Sequence, residues 1–181
     1  MSIASGIIDM QVVLLQILQK CDPYIFYHRV RPFLAGWPEP GIIYEGVSDK
    51  PRKFSGSSAA QSSLIQSLDA GLGIVHHQET LSFLQAMRYY MPPAHRRFIE
   101  ALEAGASIRQ FVLNHKQNHS GLRDLYNECI QVLNNFRREH RLIAASYILR
   151  QNPQQIRGTG GTNFVHFLKL LEMQTRASLI N

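Results

Sequence analysis

Residues 120–150, SGLRDLYNECIQVLNNFRREHRLIAASYILR, decide the fold. Leu122, Leu125, Cys129, Val132, Phe136, Ile143, Ala144 and Tyr147, with His140 between Phe136 and Ile143, recur at three- and four-residue steps, broken only between Ile143 and Ala144, which keeps them on one face of a long helix. One polar residue, His140, stands in that apolar stripe. A nitrogen donor facing a core is what a buried metal centre needs. The competing reading is a hydrogen-bonded core histidine, since histidine is intermediate in burial.

Outward from this helix the pattern stays helical. Residues 5–20 carry Ile8, Val12, Leu15, Ile17 and Leu18 at helical spacing. Asp22 then offers an N-cap and Pro23 a first helical position, where a missing amide donor costs nothing. That second helix runs to Phe33-Leu34, and Pro32 is expected to kink it. Positions 37–56, rich in Gly and Pro, read as the longest irregular stretch, with a short extended run at 41–45; loops of this length in compact domains are usually functional. Further helices are expected near 57–72, 79–91, 93–104, 106–115 and 163–178, the last with Phe164, Phe167, Leu168, Leu171 and Met173 inward. The fold class is all-α, a helical bundle with two long loops.

Composition narrows the function classes. With 181 residues and 45% hydrophobic content, the chain has apolar mass for a real core in a single domain. Nineteen Lys+Arg against 13 Asp+Glu give a net charge of +6, much of it in Arg88 with His95, Arg96 and Arg97, and in Arg137, Arg138 and Arg141. No nucleic-acid-binding pattern accompanies these clusters, so no nucleic-acid partner is expected. Cys21 and Cys129 are too few and too far apart for a disulfide framework, which points to a reducing, cytoplasmic setting. The N-terminal apolar run is too short and too polar to span a bilayer, and no membrane partner is expected. The GTGGT loop at 158–162 allows close approach to a ligand, yet lacks the Lys and preceding strand of a phosphate loop; connector and lid remain equal readings.

Several segments, in order, resemble a known family: Phe26-x4-Arg31-x4-Gly36-Trp37, Tyr44-Glu45-Gly46, FSGSSAAQSS at 54–63, MRYYMPPAHR at 87–96, Phe136-Arg137-x2-His140 and GTGGT. Together they are similar to the C-terminal large domain of indoleamine 2,3-dioxygenase. The resemblance implies an all-helical domain holding haem b and a reaction in which O2 adds to L-tryptophan or a related indoleamine, giving N-formylkynurenine. It assigns His140 as the proximal iron ligand and Asp69 as the carboxylate that orients it; without the resemblance, Asp69 reads equally as a solvent-facing helix residue. Arg137, one turn before His140, is implied to reach a haem propionate.

On the opposite face the resemblance places Phe26 to stack on the indole and Arg31 to pair with the substrate carboxylate. Ser57, Ser58 and Ala59 form a small-residue wall, and Thr159 is placed near the substrate amine. Without it, Phe26 reads as a core aromatic and Arg31 as a surface charge. Five residues along a regular helix point about 140° apart, so Phe26 and Arg31 share a pocket only if the Pro32 kink or the pocket's breadth allows it. The chain is expected to lack the family's N-terminal small domain and first large-domain helices. Three function classes follow: a tryptophan dioxygenase, a haem-binding module without turnover, and a helical interaction or nucleic-acid domain.

Overall fold

The computed structural model describes residues 20–42, 52–115 and 120–181, and within them the fold is all-α with one β-hairpin. The helix expected at 5–20 lies outside the described residues. Helix α1 runs in three consecutive pieces, Pro23–Ile25, a π-helical Phe26–Val30 and Arg31–Leu34. Asp22 caps it as expected, its carboxylate accepting from the amides of Tyr24 at 2.7 Å and Ile25 at 3.2 Å.

Of the irregular stretch expected at 37–56, the described residues 37–42 and 52–56 are instead paired strands, and the extended run expected at 41–45 lies largely outside the described residues. Strand β1, Ala35–Ile42, pairs antiparallel with β2, Arg52–Gly56. The register slips between Trp37 and Ile42, the segment holding Pro38 and Pro40, which have no amide to give the ladder.

A 3-10 turn, Ala59–Gln61, leads into α2, Ser63–Leu72, which ends at Gly73 in the left-handed conformation with φ +74°. Helix α3, Gln78–Met87, passes through a second 3-10 turn, Arg88–Tyr90, to α4, Pro93–Ala104, and α5, Ile108–Asn114. The long helix α6 is Ser120–Ile148, and α7, Phe164–Ala177, packs along it.

The main core joins Leu72, Ile74, Val112, Tyr126, Ile130, Leu133, Phe136 and Ile180. Two smaller clusters continue it, Ala60 with Leu84 and Met87, and Phe164 with Leu168 and Leu171. Tyr126 shares its hydroxyl between the carbonyls of Leu72 and Ser178, tying α2, α6 and the C-terminus together, and burial pushes its pKa up to about 12.

The inward face of α6 differs from the expected stripe in its first half. Leu125 is 61% exposed, while Tyr126, Ile130 and Leu133 are buried and Cys129 and Val132 pack at their flank. The two stripes are one residue, about 100° of helix, apart. Met173 on α7 is likewise 56% exposed; the polar pair Gln174 and Thr175 turns inward in its place. A wholly apolar stripe misses these positions because the interior beside α7 supplies hydrogen-bond partners.

The offset has a direct test in urea denaturation. Ile130→Ala should lower stability by about 2–5 kcal/mol, and Leu125→Ala should stay within about 0.5 kcal/mol of the parent, as an exposed position does.

Candidate functional site

One cavity of about 300 Å³ is lined by every residue singled out from the sequence: Phe26, Arg31, Ser58, Ala59, Asp69, Arg137, His140 and Thr159. It lies between α1, the 57–60 segment, α2, α6, α7 and the glycine-rich loop, and most of its remaining lining is apolar, including Ile143, Ala144, Leu168 and Leu171.

The π-helical segment explains how α1 contributes twice. Its hydrogen bond runs from the Arg31 amide to the Phe26 carbonyl, five residues back, so residue 31 stacks over residue 26 rather than 140° away. Where the sequence leads one to expect a kink at Pro32, the chain widens one turn. Phe26 meets Tyr147 of α6 edge-to-face at 5.2 Å, and the Tyr147 hydroxyl donates to the Cys21 carbonyl at 2.9 Å, seating α1 on the long helix. The Arg31 guanidinium stands 5.4 Å from the Tyr27 ring centre. Its Nη2 donates to the Arg157 carbonyl at 3.1 Å, while its Nε is buried without a partner.

The glycine-rich loop is docked onto the 57–58 segment. The Thr159 hydroxyl donates to the Ser57 carbonyl, and the Gly158 amide donates to Thr162 at 2.8 Å inside the loop. Contact is close enough to require glycine at two places. A Cβ on Gly56, at φ +119°, would run into the Thr159 carbonyl oxygen, and one on Gly160 would meet the Ser58 Cβ at 2.9 Å. Ser58 caps the following 3-10 turn, accepting from the Ala60 amide and donating its own amide to Gln61, and Ala59 is exposed at the start of that turn.

His140 is half-buried on α6, its ring 6.2 Å from that of Phe136. Burial, and then the nearby Arg137 charge, hold its pKa below the usual histidine value. The ring is therefore kept neutral, the form that can ligate a metal.

Asp69, expected to orient His140, lines the same cavity and meets two other partners. Its Oδ1 accepts from Arg137 Nη2 at 2.5 Å and its Oδ2 from His76 Nε2 at 3.0 Å, so both oxygens are engaged away from His140. Arg137, expected to reach a ligand anion, lines the cavity but commits most of its donors to protein partners. It is 3% exposed, and its Nη1 donates to the Thr175 hydroxyl and, at 3.4 Å, to the Leu171 carbonyl; only Nε is left unpartnered. A buried carboxylate draws the nearest cation, and a guanidinium has donors enough to bridge α2, α6 and α7 at once. Burial alone raises the Asp69 pKa, but the Arg137 charge and the hydrogen bonds from His76 and Arg137 outweigh it, and the net shift is downward.

Gln66, His76, Gln174 and Thr175 are the site-supporting residues that the sequence reading missed. Gln174 and Thr175 continue the helical spacing of Leu168 and Leu171, a signal hidden by counting apolar residues only. His76 sits in the link after α2, where no periodicity marks it. The basic clusters are partly internal: Arg88 pairs with Glu103 and Gln66, and Arg141 with Glu172 at 2.6 Å.

Comparison with known proteins identifies the family. The family described as indoleamine 2,3-dioxygenase matches residues 1–155. Over 203 residues the chain is 38% identical to indoleamine 2,3-dioxygenase 1 of Rattus norvegicus, covering 99% of this chain and 49% of that relative. Identity to indoleamine 2,3-dioxygenase 2 of Homo sapiens is 38% over 194 residues, 96% of this chain and 47% of the relative. A myoglobin of Haliotis madaka is 35% identical over 180 residues, 92% and 47% of the two chains. The chain belongs to the indoleamine 2,3-dioxygenase family and spans about half the length of these relatives.

Two measurements probe the site's construction. Asp69→Asn should cost roughly 3–5 kcal/mol at neutral pH by leaving Arg137 buried without its counter-charge. Because the folded pKa is depressed, this contribution is fully present above the ordinary value of 3.8 and is lost as pH falls below it; the gap between the two proteins should close in acid denaturation curves. Gly56→Ala should destabilise by about 1–3 kcal/mol through its backbone conformation alone, and should raise proteolytic cutting within 157–162.

Proposed function

We propose that this chain forms the haem-binding helical part of a dioxygenase of tryptophan catabolism, which adds both atoms of O2 across the indole C2–C3 bond of L-tryptophan or a related indoleamine to give N-formylkynurenine for the kynurenine pathway. The observation that carries the reading is the single cavity shared by His140, Phe26, Arg31, Ser58 and Thr159 in a member of this family.

The residues present fit haem b. An apolar cavity with one neutral imidazole suits a porphyrin whose iron takes a single protein ligand. The unpartnered buried Nε atoms of Arg137 and Arg31 are donors awaiting anionic groups, such as a propionate and a substrate carboxylate. His140 would hold the iron, and Ala59 and Ala144 would permit close approach of a flat ring. When bound, the haem supplies the oxygen chemistry.

The remaining work falls to orientation and exclusion of water. Phe26, held by Tyr147, offers an aromatic surface to the indole. Arg31, positioned by the Arg157 carbonyl, pairs with the carboxylate. The Thr159 hydroxyl, donating its hydrogen bond to the Ser57 carbonyl, keeps lone pairs for the substrate ammonium. Ser58 narrows the wall on the same side, and the docked loop lines the cavity beside it. Free Cys21 and Cys129 suit a reducing cytoplasm.

The likeness to a protein named myoglobin favours a second reading, haem binding without turnover. Reconstitution with ferric haem separates the two. A stoichiometric Soret band in the parent, lost in His140→Ala, supports both; product formation from L-tryptophan under reductant supports the first alone. Arg31→Ala should then raise KM for tryptophan by about 10- to 100-fold, the worth of a charged hydrogen bond. Absence of stoichiometric haem in the parent overturns both.

A further inference from the structure

Behind the cavity runs a buried polar chain that the proposed reaction does not itself use. Thr80 of α3 accepts from the Gln174 amide at 3.0 Å, and the oxygen of that amide meets His76 Nδ1 at 2.9 Å. His76 Nε2 contacts Asp69 Oδ2 at 3.0 Å. A carboxylate oxygen only accepts, so Nε2 is the donor. Asp69 in turn holds Arg137, which stands three residues before His140 on α6. The His76 and Asp69 side chains are 7% and 6% exposed. Asp69, with Leu84, lines both the His140 cavity and a second one of about 350 Å³ that His76 also lines.

We propose that His76 is a positioning residue for the His140 cavity, acting through Asp69 to fix the Arg137 guanidinium against it. The inference rests on the haem reading above for its consequence, but not for its geometry. The Asp69 carboxylate needs a donor on each oxygen to stay in one rotamer, and Arg137 approaches only one of them. His76 fills the other and is itself held by Gln174, whose second contact to Thr80 closes the chain on α3. Without the imidazole, Oδ2 is left buried and unmatched. The carboxylate then turns to share Arg137, and the unpartnered Nε leaves the orientation in which it waits for an anion.

The test compares His76→Ala with His76→Gln, which keeps an N–H donor for Asp69. In the haem-free protein the Arg137 Nε–H resonance should be protected from exchange in the parent, lost or exchange-broadened in His76→Ala, and recovered in His76→Gln. With haem, affinity should fall about 10-fold or more in His76→Ala, the usual cost of losing a residue that orients a binding group, and return toward the parent in His76→Gln. Melting temperatures measured alongside separate this pattern from general loosening, which the Gln variant would not repair at Arg137 alone. An unchanged Arg137 resonance in His76→Ala, or equal losses in both variants, overturns the proposal. A parent that takes up no haem overturns the functional reading instead and leaves the resonance test decisive.

Discussion

The contact between Asp69 and Arg137 is the constraint around which the site is arranged. Each group is almost fully withdrawn from water, and neither would tolerate that alone. Their union fixes the distance between α2 and α6, and the remaining Arg137 donors reach α7 through Leu171 and Thr175. Three helices that apolar packing alone would let slide are thus held at one height, and that height presents His140 to the cavity. The neutrality of His140 follows from the same arrangement, since the adjacent guanidinium adds to burial in opposing a second proton.

On the far side of the cavity, order comes from backbone geometry rather than charge. One widened turn in α1 brings Phe26 and Arg31 into register. Such turns recur at functional sites because they trade regular hydrogen bonding for side-chain placement. The turn is supported from outside by Asp22 at its start and by Tyr147 against its ring, so an otherwise short helix is anchored at both levels.

Much of this was legible in the sequence. Apolar spacing located the helices over the described residues, Asp22-Pro23 marked a true helix start, and the residues proposed for the site converge on one cavity. What escaped did so for identifiable reasons. The face of α6 was displaced by a residue because Leu125 and Tyr126 both fit a helical stripe, and only the hydrogen-bonded hydroxyl of Tyr126 decides which goes inside. The partners of Asp69 lie 7 and 68 residues away from it, and no local pattern encodes such a meeting. The hairpin was hidden because Pro38, Pro40 and Gly41 argue against a strand, whereas the structure accommodates them by slipping register.

The bond from Arg31 to the Arg157 carbonyl carries a mechanical implication. The loop that covers the cavity and the side chain suited to grasp a carboxylate are latched to each other, and Thr159 fastens the same loop to Ser57. Any displacement of 157–159 would therefore disturb the Arg31 side chain in the same motion. Under the function proposed above, departure of the substrate and release of its anchor would become a single event, so residence time would be governed by the fastening of the main chain at 157–159 as much as by contacts to the substrate itself.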